Sequence, residues 1–219
     1  ASRNGGGHDG DLRRNRETGR AAQSSCEASI RRSGEGSVAL FAIAFQENRA
    51  VPRVFWIVLL AMFAAWLAMN LWTAPKIEAM SGGLRLLDMR FTGYSFAEAQ
   101  DFVAAIGDEG VALYLGPQLW LDMLFPPLLG AVLFFCFRWL FPGWVGLVIG
   151  TLSLTFVLVD YLENLALLTI LRAGSDSMTP EMVAMANQWT ITKWSLAVVG
   201  LLALAFGAAV RLTVKFRQL

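Results

Sequence analysis

Apolar residues in this chain gather into long uncharged runs, not into the one-sided stripes of a soluble helix or the alternation of a strand. Residues 54–69, 123–137, 139–159 and 194–210 contain no Asp, Glu, Lys or Arg. A bilayer span needs about 20 mostly apolar residues, at a rise of about 1.5 Å each across a core of about 30 Å. With flanks of mixed character, each run reaches that length. The pattern predicts an all-α, four-helix transmembrane bundle with spans at about 53–72, 111–138, 144–171 and 180–212. Pro52 suits the first turn of the first span, where its missing N–H costs nothing. A loop from Thr73 to Gly93 should follow, containing Ser81-Gly82-Gly83. Ser95-Phe96-Ala97-Glu98 reads as a capping box that opens a short amphipathic helix over 95–106, with Phe96, Phe102, Val103 and Ile106 on its apolar face. Asp108-Glu109-Gly110 should end it. Pro117 and Pro126-Pro127 should kink the second span. Phe141-Pro142-Gly143 reads as a tight turn, and 172–177 as another. Thr179-Pro180-Glu181 supplies cap, N1 proline and acidic first turn for the fourth span.

Residues 1–48 differ from the rest. They are rich in Gly, Ser, Arg and Glu without sustained periodicity, and are predicted to be a disordered tail. The apolar stretch 38–45 is too short to span a membrane. A basic region precedes it, but no clear small-residue cleavage site follows, so a frayed lead-in to the first helix is expected over a signal peptide. The chain opens at Ala1, as expected of a fragment, a processed product or a displaced start.

Composition adds exclusions. Hydrophobic residues make up 56% and charged residues 16% of the chain, below the roughly 25% charged content of soluble proteins. The net charge of +1 gives no pull toward nucleic acid. Cys26 lies in the tail and Cys136 in an apolar run, so no disulfide is expected between them. His8 is the only histidine, and its place in the tail speaks against haem or a histidine-ligated metal. No phosphate loop, zinc site or serine triad is present, and no cofactor is called for. Lys and Arg are distributed with a moderate bias. Arg49, Arg53, Arg138, Arg211, Lys215 and Arg217 flank one end of the spans; Lys76, Arg85, Arg90 and Arg172 lie at the other, partly balanced by acids. The positive-inside rule then predicts both termini in the cytoplasm. Trp139 and Trp144 would mark the inner interface and Trp72 the outer one.

Charged side chains inside a span are costly and usually face protein or water. Four occur: Asp122, Asp160, Glu163 and Lys193. Counting from each cytoplasmic end at about 1.5 Å per residue puts Asp122 and Asp160 at about 24 Å, Lys193 at about 27 Å and Glu163 at about 28 Å, with Asn70 at about 26 Å. This is one layer in the outer third of the bundle. Asp160, Glu163 and Asn164 stand at i, i+3, i+4 on one face, and Tyr114, Gln118 and Asp122 at i, i+4, i+8 on another. Asn187, Thr190 and Lys193 follow at i, i+3, i+6. If these faces converge, Tyr114, Gln118, Asp122, Asp160, Glu163, Asn164, Thr190 and Lys193 form a polar cluster that opens outward beneath 95–106. Three carboxylates and one ammonium sum to −2, so at least one carboxyl is expected to hold a proton, with Asp160 or Glu163, adjacent like charges on one helix face, as the expected holder; otherwise the site must hold a cation. The plainer alternative is an interhelical ion pair that only fixes register. Gly146-Leu147-Val148-Ile149-Gly150 is a GxxxG pattern, which suits close packing within the bundle or a homo-oligomer through Gly146 and Gly150. Gly200 and Gly207 suggest a further packing groove. Membrane lipids are the expected partners.

Several of these residues are shared with a known family. Asp88, Gly93-Tyr94-Ser95 with Glu98-Ala99, Gly110, Tyr114, Asp122 to Phe125-Pro126, Asp160-Tyr161-Leu162-Glu163-Asn164 and Thr190-Ile191-Thr192-Lys193-Trp194 together resemble a family of four-helix membrane proteins from bacteria and some fungi. The resemblance covers about 54–210, and the Asp-Tyr-x-Glu-Asn element is its most specific part. It implies a four-helix bundle with an outer loop after the first helix, and brings no activity, substrate or cofactor; a bacterial inner (plasma) membrane is the expected location. Three roles stay open: binding or transport of a small molecule, lipid or proton; acid–base chemistry on a lipid-like substrate; and a structural or accessory subunit.

Overall fold

The computed structural model describes residues 52–141 and 143–216. The tail, the 38–45 stretch, Arg49, Pro142 and Arg217 lie outside the described residues, as does the side chain of Lys215. All secondary structure among the described residues is helical. Four continuous helical stretches are long and apolar enough to cross a membrane: Arg53–Met80, Phe96–Leu140, Gly143–Ser177 and Pro180–Val214. The chain is an integral membrane protein by this measure, and its architecture is an all-α four-helix bundle.

The first stretch comprises α1 (Arg53–Ala68), a π-helical turn (Met69–Thr73) and α2 (Ala74–Met80). The loop expected from Thr73 therefore begins only at Ser81. Pro75 sits in the first turn of α2, where its lack of an N–H leaves the helix intact. A short 3₁₀ turn, Leu87–Met89, lies within the connection to α3 (Phe96–Leu113). The capping box is formed. The Ser95 hydroxyl accepts from the Glu98 N–H, and the Glu98 carboxylate accepts from the Ser95 N–H at 2.7 Å.

The break in α3 falls at Gly107, not at Asp108-Glu109-Gly110. Gly107 has φ 60 and ψ −172, a combination that is essentially restricted to glycine. The acids at 108 and 109 simply begin the next helical turn. A π-helical segment, Tyr114–Gln118, then leads into α4 (Leu119–Leu140). Gly116 leaves helical geometry there, next to Pro117. Pro126 and Pro127 lie inside α4, which continues through them, so the distortion of this span is concentrated at Gly116-Pro117.

The third span is two helices, α5 (Gly143–Leu152) and α6 (Leu154–Ser177), which part at Ser153. The segment 172–177, expected to be a turn, is helical up to a break at Gly174. The fourth span, α7 (Pro180–Phe216), runs past the expected end at 212.

Packing places α6 along α7, α4 between α1 and α5, and α3 against α2 and α6. Gly146 and Gly150 lie against α4: a Cβ on Gly150 would come within 3.0 Å of Phe134, and one on Gly146 would strike the Phe141 carbonyl. On Gly207 a Cβ would meet the Phe141 ring at 2.9 Å. A Cβ on Gly200 would meet nothing within 4 Å. The main apolar core sits at one end, under the 81–95 connection. Phe102, Ile77, Leu86, Leu87 and Ile170 are fully buried there. Toward the other end the helices expose Leu147, Leu201, Leu202 and Phe206, side chains that suit acyl chains.

Candidate functional site

The apolar core borders a set of buried charges. Glu163 on α6 is 0% exposed. Its Oε1 accepts the Thr190 hydroxyl at 2.6 Å, and its Oε2 is in direct ion-pair contact with Lys193 Nζ. The same ammonium lies 3.7 Å from Asp160 Oδ1. Asp160 Oδ2 accepts from Asn164 Nδ2 at 3.2 Å, and Asn164 Nδ2 also lies 3.5 Å from the Asp122 carbonyl oxygen. The i, i+3, i+4 spacing on α6 therefore does place three polar groups on one face, with Thr190 and Lys193 opposite on α7.

Asp122 on α4 differs from its neighbours. It is 7% exposed, yet no hydrogen bond or ion pair reaches its carboxylate among the described residues. Its electrostatic environment is set by Asp88, Asp160, Lys193 and Glu163.

The stripe Tyr114, Gln118 and Asp122 is buried throughout, but its members have separate partners. The Tyr114 hydroxyl donates to Asp88 Oδ1 at 2.5 Å. The Gln118 carbonyl oxygen accepts the Thr73 hydroxyl from the π-helical turn after α1, while Gln118 Nε2 has no acceptor among the described residues. Asn70 turns back on its own helix, donating from Nδ2 to the Trp66 carbonyl at 2.9 Å, and does not join the layer. The first span instead contributes Thr73.

Two residues that carry the family resemblance, Asp88 and Tyr94, are not placed in the cluster by spacing alone. Asp88, in the 3₁₀ turn, is buried; besides the Tyr114 bond, its carbonyl accepts from Trp194 Nε1 at 3.0 Å. The connection also lays Tyr94 over the cluster. The Tyr94 N–H donates to Asn187 Oδ1 at 2.8 Å. Its buried hydroxyl lies against Thr190. Burial pushes that phenol well above its usual range, the nearby Thr190 hydroxyl opposes the shift, and the charges of Glu163 and Asp88 add to it; the phenol has no hydrogen-bond partner among the described residues. Gly93 makes the close approach possible: it has φ +85, and a Cβ there would strike Asn187 Oδ1. With Asp88 included, four carboxylates face one ammonium, a formal −3 where the sequence alone suggested −2.

No cluster of three or more His, Cys, Asp or Glu side chains able to hold a metal occurs among the described residues. Cys136 is half-buried and free. A groove of about 410 Å³ opens nearby, but it is lined by residues of the 81–95 connection and α3, and not by Asp122, Asp160, Glu163 or Lys193. Comparison with protein-family models, with curated proteins and with solved structures gave no match to this chain.

Proposed function

We propose that this integral membrane protein binds and releases a proton at its buried charged cluster, with Asp122 as the group that takes it. The observation that carries the reading is the Asp122 carboxylate: the side chain is buried at 7% exposure, its charged neighbours are Asp88, Asp160 and Glu163, and the one nearby cation, Lys193, already pairs with Glu163 and Asp160. An ionised carboxylate in that position is costly unless something neutralises it. The groups around it are Asp88 and Tyr114 on one side, Asp160 and Glu163 on α6, and Lys193 on α7. Lys193 is already committed to Glu163 and Asp160. A proton supplies the missing positive charge without requiring a metal-sized cage. Asp160, Glu163 and Asn164 belong to the Asp-Tyr-x-Glu-Asn element on which the family resemblance rests, so that element and the cluster coincide. With the termini in the cytoplasm, the cluster would lie near the outer surface of a bacterial inner membrane.

Infrared difference spectroscopy of the reconstituted protein, titrated from about pH 5 to about pH 9, tests this. The expected result is a protonated-carboxyl stretch that titrates in the wild type and is absent in Asp122→Asn. A spectrum with no titrating carboxyl band, or one unchanged in Asp122→Asn, overturns the assignment.

A second reading rests on a different observation. Lys193, Glu163 and Thr190 satisfy one another closely, as an ion pair that only locks α6 to α7 would. That role predicts no titrating band, and loss of stability alone when Glu163 is changed.

A further inference from the structure

The groove at the loop end is a second candidate site, independent of the buried charges. Arg85 and Arg90 line it from the connection, and Glu98 and Asp101 from α3. Arg90 is held in place: Nε and Nη2 donate to the Arg85 carbonyl at 3.1 and 2.9 Å, and its guanidinium lies 5.8 Å from the Phe102 ring centre. Glu98 is likewise fixed by its capping bonds to Ser95. Arg85 and Asp101 are exposed, and neither side chain has a hydrogen-bond or ion-pair partner among the described residues. Each sign of charge is thus present once as a fixed group and once as an uncommitted one.

This arrangement selects by charge type. A simple anion attracted to the arginines meets Glu98 and Asp101; a simple cation attracted to the acids meets Arg85 and Arg90. A ligand carrying both signs a few ångströms apart is favoured by both pairs. Volume also fits, since about 410 Å³ lies within the usual range of about 300–1,000 Å³ for small-molecule sites. The lip of the groove is apolar. Leu84 and Phe91 are exposed there, and the Phe91 ring meets Trp194 of the fourth span edge-on at 6.4 Å. Aromatic residues in such positions mark the membrane interface, so a polar group bound in the groove could carry an acyl tail past the lip.

We propose that this groove binds a phosphoethanolamine-type zwitterion, its phosphate on Arg85 and Arg90 and its ammonium on Asp101 and Glu98. The chemistry is shared by a soluble headgroup and by a phospholipid. Calorimetric titration of the full chain in nonionic detergent tests it, with phosphoethanolamine, short-chain phosphatidylethanolamine, inorganic phosphate and ethanolamine as probes. The zwitterions should bind with Kd at or below about 1 mM, and phosphate or ethanolamine alone at least about 10-fold more weakly. Arg85→Gln and Asp101→Asn should each weaken zwitterion binding about 10-fold or more. Both positions are on the surface, and circular dichroism checks that the fold is retained. Tighter binding of the short-chain lipid than of phosphoethanolamine assigns the site to lipid; equal binding assigns it to the soluble headgroup. The proposal is overturned if no zwitterion binds, if phosphate alone binds as well, or if neither substitution changes the affinity.

Discussion

Lys193 is the one buried cation among the described residues, and it faces two carboxylates. Removing it while they remain leaves uncompensated buried charge. Lys193→Met should therefore lower stability by about 3–5 kcal/mol, the usual cost of breaking a buried pair from one side; thermal unfolding in detergent would show it. Asp122→Asn runs the other way. It removes a buried charge that no hydrogen bond or ion pair stabilises, so the melting temperature should hold or rise, and a fall comparable to that of Lys193→Met would show that Asp122 has a stabilising partner. Residues of this kind are legible in sequence, because a charge inside an apolar run stands out against the cost of placing it there. Asp88 and Thr73 are not. An aspartate in a connection and a threonine in a span are ordinary, and only tertiary packing buries them. Asn70 misleads for a related reason: an amide inside a span can satisfy itself on its own helix, so its depth does not fix its direction.

At the level of elements, the spans could be read from the charge-free runs, but their distortions could not. A π-helical turn adds a residue to one turn without any compositional mark. Two of them, Met69–Thr73 and Tyr114–Gln118, pack against each other and are joined by the Thr73–Gln118 bond. Thr73→Val keeps the shape and removes the donor. It should cost about 1–3 kcal/mol by leaving the buried Gln118 carbonyl unsatisfied, measured as a shift in the unfolding midpoint. Such π-helical turns are frequent at functional sites, and the second of them ends four residues before Asp122. The end of the amphipathic segment differs from the expected one because Glu109 is a good helix former and Asp108 only a weak one, whereas what breaks α3 is the backbone of Gly107. Gly107→Ala should cost about 1–3 kcal/mol, since that conformation is almost closed to other residues. A smaller loss would mean that the segment can straighten into a continuous helix.

The molecule as a whole divides its burial unevenly. Tightly packed side chains and buried charges gather under the 81–95 connection, while the opposite halves of the helices leave Leu201, Leu202 and Phe206 about two-thirds exposed. In water that surface would drive aggregation; against acyl chains it needs no protein partner. The asymmetry gives the orientation a functional meaning, because the charged cluster then lies near one membrane face only. At the other end Arg211 stacks on Trp139 at 4.0 Å, and Arg138 donates to the Gly143 carbonyl at 2.7 Å, so arginine and tryptophan meet at that boundary as they do at membrane interfaces. By the positive-inside rule, the Lys/Arg bias predicts that this end faces the cytoplasm. In a background with Cys26→Ser and Cys136→Ala, a cysteine at Thr92 should react with a membrane-impermeant maleimide added to intact cells, and one at Trp144 only after the membrane is permeabilised. The reverse pattern would place the 81–95 connection, its groove and the nearby charges on the cytoplasmic side. Any proton taken up by Asp122 would then be drawn from the cell interior.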